Sequence, residues 1–151
     1  MMERIDAAAG ASTVQPVALF FVDLDGFKAL NDAQGHAAGD AMLVELARAL
    51  QQAVRAEDAV GRFGGDEFLV LATVRDAAGA HALAGHLLRA VQECAVRCAG
   101  AGAQPVSASI GYALAPHDAT QPLRLLQLAD SAMYAAKRGG KNRVMHCAGL
   151  A

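Results

Sequence analysis

The sequence has no tryptophan, few aromatics (5%), three cysteines and four prolines in 151 residues. Each scarcity excludes something. Cys94, Cys98 and Cys147 leave one thiol over from any pairing and form no C-x-x-C pair, so neither a disulfide framework nor a zinc-finger pattern is present. They read as small buried hydrophobes in a reducing cytoplasm. A formal charge of −2 offers no basic excess, which argues against a surface that neutralises a nucleic-acid polymer. No apolar run reaches membrane-spanning length, and the start MMERIDAAAGASTVQPVALFF carries acids where a signal peptide needs a basic segment. Direct membrane insertion is therefore not expected, and the chain is placed in the cytoplasm.

What is abundant is apolar content, 54% of the residues, enough for one domain with a real core. Residues 1–16 lack periodicity and read as a tail or partial lead-in, residues 17–147 as the folded domain and 148–151 as a tail. VALFFVDLD, from Val17, is a near-continuous apolar run that suits a strand covered on both faces. A short helix GFKALNDAQ follows, closed by Gly35. The next helix, GDAMLVELARALQQAVR, is read with Asp40 as its N-cap and an apolar face at Leu43, Leu46, Ala47, Leu50 and Val54.

The stretch AVGRFGGDEFLVLATV has two strand-like arms around Gly64-Gly65, read as a hairpin whose glycines supply positive backbone angles. A helix is expected from Ala77 to about Ala99, then a Gly/Ala linker, and then a strand in VSASIGYALA. A last helix runs from Pro122 to Arg138 with Gly139-Gly140 as its stop, and NRVMHC is an edge strand. Interleaved strands and helices with one hairpin give an α/β sandwich, a mixed sheet with flanking helices.

Carboxylates cluster at the ends of two of these strands: Asp23 and Asp25 after the first, Asp66 and Glu67 at the hairpin tip. Taken singly, each suits a turn, and Asp25 suits a cap on the following helix. As a set on adjoining strand ends they favour Mg²⁺, held by two or three hard oxygen ligands with open positions for phosphate oxygens. Lys137 and Lys141, four apart at a helix end, and Lys28 beside the first acids are candidates to face phosphate. Charge at a helix C-terminus is the competing use of Lys137. Asn31 and Asp40 flank the loop that holds His36 and could read a base edge; a helix end and a cap are their alternatives. Arg55 and Asp58, in RAED, read on composition alone as a solvated charge pair.

FFVDLDGFKALNDAQGHAAGDAML, RAEDAVGRFGGDEF, SASIGYALAP and LADSAMYAAKRGGKN, in that order, resemble the GGDEF domain of diguanylate cyclases across about residues 17 to 145. The resemblance implies a palm-like nucleotidyl-cyclase fold and condensation of two GTP into cyclic di-GMP with release of two pyrophosphates. It also implies a homodimer, because each domain binds one GTP. By the same resemblance, Asp23, the Leu24 carbonyl, Asp66 and Glu67 hold Mg²⁺, with Mn²⁺ as the alternative, and Asp66 is the residue that accepts a proton. Asn31, His36 and Asp40 fall on guanine-pocket positions. Phe27, Lys28, Lys137 and Lys141 fall around the phosphates, and Gly64 and Gly65 give the nucleotide close access to the backbone.

The spacing of Arg55 and Asp58 before the signature matches the family's RxxD site for inhibition by cyclic di-GMP, with His86 or Arg89 as an unassigned further contact. The family's usual lead-in of the type D-x-L-T-x-L-x-N-R is absent from these residues, and no sensor module is expected ahead of the domain. That departure motivates the alternative of a non-catalytic module that binds GTP or cyclic di-GMP and signals through a partner.

Overall fold

The apolar run at Val17 forms the central strand, β1 (Val17–Asp25), of the computed structural model, which describes residues 15–99 and 106–149. The expected N-terminal tail and Gly/Ala linker lie largely outside those residues. After β1 come α1 (Phe27–Gln34), α2 (His36–Ala53), β2 (Ala59–Arg62), β3 (Glu67–Thr73) and α3 (Ala77–Ala99). The chain continues through β4 (Ser107–Ala115), α4 (Pro122–Arg138) and β5 (Arg143–His146) to a 3-10 turn at Cys147–Gly149. In space the strands lie in the order β2-β3-β1-β4-β5, antiparallel except for the parallel pair β4 and β5. This is the mixed sheet with flanking helices and a hairpin that the residue pattern implies.

β1 is apolar throughout because helices cover both faces of the sheet. Ala18, Phe20, Val22 and Leu24 point into the larger core with Leu46 and Leu50 of α2 and Leu87 and Val91 of α3. Val17, Leu19 and Phe21 point the other way, onto Leu125, Ala129 and Met133 of α4. Among the described residues, no helix is long and apolar enough to cross a membrane.

Four local expectations are corrected. Asp40 is not an N-cap: α2 begins at His36, with Gly35 in the capping position at φ 92. One glycine with that φ both ends α1 and starts α2, and the alanines that follow propagate the helix without a second break. Asp25 is not a cap either, since Gly26 occupies the N-cap of α1 with no side-chain cap bond. Gly64 and Gly65 do not make a two-residue turn with positive φ, as only Gly26, Gly35 and Gly140 carry positive φ among the described glycines. The hairpin loop is instead residues 63–66, and Arg62 closes it by donating from Nε to the Gly64 carbonyl (3.0 Å) and from Nη2 to the Gly65 carbonyl (2.6 Å). Of the three cysteines, Cys94 is buried, Cys147 is partly so and Cys98 is exposed on α3.

The seating of α4 sets the geometry of the site. A Cβ added to Gly111 would lie 2.0 Å from the Met133 nitrogen and 2.3 Å from the Ala129 oxygen, so helix backbone rests directly on strand backbone there. Ala129, Ala132 and Ala136 are fully buried along the same face. Backbone cannot move aside as a flexible side chain can, so Gly111→Ala is expected to destabilise the domain by about 3 kcal/mol or more, at the upper end of overpacking costs. Urea unfolding checks this, the expected result being a lower midpoint.

Candidate active site

Antiparallel pairing of β1 with β3 sets Asp23 opposite Glu67. The Leu24 N–H donates to the Asp66 carbonyl at 3.0 Å, which carries the pairing one step into the hairpin loop. Asp23, Asp66 and Glu67 therefore share one end of the sheet. The Leu24 side chain is in the core, so only its main chain can serve the site. α4 brings Lys137 across: its Nζ stands 3.3 Å from Asp23 Oδ1 and 3.0 Å from Asp25 Oδ1.

Asp25 is the better-served acid. It accepts from Ser109 Oγ (2.9 Å), Ser107 Oγ (3.2 Å), the Asn142 N–H (3.0 Å) and Lys137. Burial alone would raise its pKa, but the Asn142 N–H, Lys137 and Ser109 together hold it below the ordinary value. Among the described residues, Asp23 has only the shared lysine. Burial, reinforced by the charges of Asp66 and Glu67, pushes its pKa up to about 6 against the pull of Lys137. Burial, then Asp66 and Asp130, also raise Glu67. Lys137 is held above its ordinary pKa because its hydrogen bond to Asp25 and the neighbouring carboxylate charges outweigh its own burial.

The acids thus carry more negative charge than one ammonium can balance, and their donors are all hard oxygens. That chemistry fits a divalent cation with open coordination positions. The Glu67 carboxylate folds toward Gly64, where a Cβ would meet Oε1 at 2.2 Å; Gly65 has no such neighbour within 4 Å.

The remaining residues singled out in the sequence divide into two places. Near the acids, Phe27 and Lys28 open α1, directly after β1. The Phe27 ring is buried in the core, so what it can offer a phosphate is its main-chain N–H, one of those left without an intrahelical partner at a helix start. Lys28 is exposed; Lys141, also exposed, precedes the Asn142 that donates to Asp25. Asn31 on α1 packs against Gly39, where a Cβ would sit 1.6 Å from its Oδ1. That buried oxygen has no hydrogen-bond partner among the described residues, whereas His36 and Asp40, one turn apart on α2, are exposed, Asp40 lining a cavity of about 400 Å³ with Arg62 and Phe68.

Arg55 and Asp58 lie elsewhere, lining a cavity of about 470 Å³. Asp58 accepts from the Arg55 N–H (3.0 Å) and the Thr73 N–H (3.2 Å), while Arg55 donates to the Thr73 carbonyl. Arg75 lines the same cavity. No sequence signal pointed to Arg75, because it reaches Arg55 only through the pairing that seats β3. His86 lines a neighbouring cavity of about 170 Å³ with Gln52 and Arg97.

A family model described as "Diguanylate cyclase, GGDEF domain" matches residues 2–143. The bifunctional diguanylate cyclase/cyclic di-GMP phosphodiesterase MucR of Pseudomonas aeruginosa is 44% identical over 131 residues, 83% of this chain. The chain spans 18% of MucR's length, well under two thirds of the curated relative. The crystal structure of the GGDEF domain of TpbB (YfiN) from Pseudomonas aeruginosa matches with a TM-score of 0.85 at 37% identity, covering 96% of this chain and 89% of that one. The GGDEF domain of DgcB from Caulobacter crescentus, solved with c-di-GMP, matches with a TM-score of 0.73 at 26% identity, covering 98% and 86%.

Asp25→Asn removes the charge that anchors Lys137, and breaking a buried ion pair costs about 3–5 kcal/mol. Since the folded pKa of Asp25 lies below the unfolded value, its stabilisation is fully present above the unfolded pKa and is lost as pH falls through the folded one. In chelator-containing buffer, urea unfolding is expected to show the full gap between wild type and variant at neutral pH, closing in acid.

Proposed function

The chain belongs to the GGDEF domain family of diguanylate cyclases, and we propose that it condenses two GTP molecules into cyclic di-GMP with release of two pyrophosphates. The observation that carries this reading is the set of acids at the joined ends of β1 and β3, with Lys137 as its single close counter-charge among the described residues. Asp23, the Leu24 carbonyl, Asp66 and Glu67 would hold a divalent cation, Mg²⁺ or alternatively Mn²⁺, whose chemistry is to neutralise phosphate charge and polarise the α-phosphate. The N–H groups that open α1, at Phe27 and Lys28, take phosphate oxygens, with Lys28 and Lys141 as mobile cations at the edge. Lys137, committed to Asp23 and Asp25, keeps the acids in place and lends positive charge from beneath.

Asn31, whose side-chain amide carries both a donor and an acceptor, contacts the guanine edge in this reading. Asp40 and His36 complete that pocket from α2. Asp66, itself among the metal ligands, accepts the proton of the attacking 3′ hydroxyl, and the loop at Gly64 and Gly65 leaves room for the nucleotide. Positioning and charge neutralisation supply most of the rate in such transfers. One domain holds one GTP, so two copies must face each other, and turnover depends on their association.

Arg55, Asp58 and the adjacent cavity form the inhibitory site for cyclic di-GMP in this reading. A guanidinium suits both phosphate and the face of guanine, and Arg75 places a second one on the cavity wall.

Incubation of wild type with GTP and Mg²⁺, after removal of copurified nucleotide, is expected to yield cyclic di-GMP. Glu67→Ala is expected to lower the rate by about 10² or more, a loss of the size that removing one catalytic group brings. By calorimetry, Arg55→Ala is expected to lose cyclic di-GMP binding that Glu67→Ala retains. GTP binding without product would instead support the non-catalytic signalling module.

A further inference from the structure

Asp118, His146 and Cys147 bring a carboxylate oxygen, a ring nitrogen and a thiol within 4.8 Å of one another. Among the described residues no other group of three ligating side chains closes so tightly. The cluster lies at the C-terminal ends of β4 and β5, whereas the acids of the candidate active site pair near the start of β4, at Ser109. His146 stands opposite Tyr112, about 10 Å along β4 from Ser109, and Asp118 bonds at Leu114, about 17 Å from it at the ordinary strand rise, so the two places are separate. We propose that Asp118, His146 and Cys147 form a zinc site, independent of the nucleotide chemistry.

Mixed nitrogen, oxygen and sulfur donors suit Zn²⁺ and are poor for Mg²⁺, which demands hard oxygen. The donors are also held in advance. The His146 ring stacks on Tyr112 with centroids 4.8 Å apart and planes at 6°, which fixes its Nε2 at 2.7 Å from Asp118 Oδ2. Tyr112 is in turn anchored by its hydroxyl against His81 Nδ1 at 3.0 Å. The Leu114 N–H donates to Asp118 Oδ2 at 2.7 Å, and the Asp118 N–H returns a bond of 2.7 Å to the Leu114 carbonyl. Donors around a tetrahedral zinc stand roughly 3.5 Å apart, given bond lengths of about 2.0–2.3 Å, so the cluster needs only a small adjustment.

Access agrees with this, and the ion must displace the thiol proton. The His146 side chain is 22% exposed while that of Asp118 is 7% exposed, a half-open arrangement through which an ion can enter. The Cys147 thiol is pushed up to about 12 by burial, with the Asp118 charge adding to it, so it holds its proton in the metal-free protein. Zinc binding replaces that proton, which leaves to solvent, so the sulfur binds as thiolate; the proton shared by His146 Nε2 and Asp118 Oδ2 moves to His146 Nδ1 by tautomerisation, which frees Nε2 and the carboxylate for the ion. Three protein ligands leave the fourth position to water. The ion would tie the segment after β4 to the end of β5 and stabilise the fold in proportion to its occupancy.

Cobalt(II) titrated into the full purified chain tests this, since a thiolate ligand gives a sulfur-to-cobalt charge-transfer band. The expected result is one such band per chain that zinc abolishes, that Cys147→Ser removes, and that Cys94→Ser, Cys98→Ser and Asp23→Asn leave intact. Zinc affinity, measured by competition with a chromophoric chelator, is expected to fall by at least about tenfold in Cys147→Ser and in His146→Gln, since losing even an outer-shell partner costs that much. On the wild type, zinc is expected to slow alkylation of Cys147 at least about tenfold while the exposed Cys98 reacts as before. Absence of the band, its persistence in Cys147→Ser, or alkylation of Cys147 unaffected by zinc would each overturn the site.

Discussion

One ammonium group, Nζ of Lys137, stands between two carboxylates of β1, 3.0 Å from Asp25 and 3.3 Å from Asp23, and the acidic end of the sheet is organised around it. A lone lysine cannot balance both acids and their neighbours on the hairpin. The structure settles the inequality by giving Asp25 three further donors, from Ser107, Ser109 and Asn142. Asp25 keeps its charge and fixes the lysine; Asp23 is left short of positive charge, with a pKa near 6. That division of roles makes one acid structural and its neighbour two residues away receptive to a cation.

The lysine reaches that position because α4 lies unusually close to the sheet. At Gly111 the helix backbone occupies the space a Cβ would need, and a row of buried alanines continues the contact toward Lys137. The segment after α4, with Lys141 and Asn142 at positive φ, turns back so that the Asn142 N–H also meets Asp25. Strand, helix and the returning segment are thereby locked at a single carboxylate. The opposite ends of β4 and β5 carry a second polar cluster, at Asp118, His146 and Cys147, so the same two strands support polar clusters at both ends.

Much of the fold was legible in the residues. Pro122 in a first turn and Gly139 as a stop bracket α4 at the bounds observed, and the apolar run from Val17 gives β1. The convergence of Asp23 with Glu67 followed from reading two acid-ended segments as neighbouring strands. What was hidden depends on distance along the chain. Asp25 looked like a helix cap because its partners, Ser109, Lys137 and Asn142, lie 84, 112 and 117 positions away. The hairpin looked like a Gly-Gly turn because Arg62's bonds to the loop carbonyls leave no mark in composition. Cys147 looked like one of three inert thiols until β5 placed it beside His146 and Asp118.

In the proposed reading, the acids at the ends of β1 and β3 form a cation site kept ready by unequal sharing of Lys137. Following the Asp23 side-chain carboxyl carbon by NMR across a pH titration, with and without saturating Mg²⁺, tests it directly. A midpoint near 6 is expected in the metal-free protein, since burial and the acidic neighbours outweigh the lysine. With Mg²⁺ bound the midpoint is expected well below that, because a cation favours the ionised form. A midpoint that Mg²⁺ leaves unmoved would rule out a cation site at these acids.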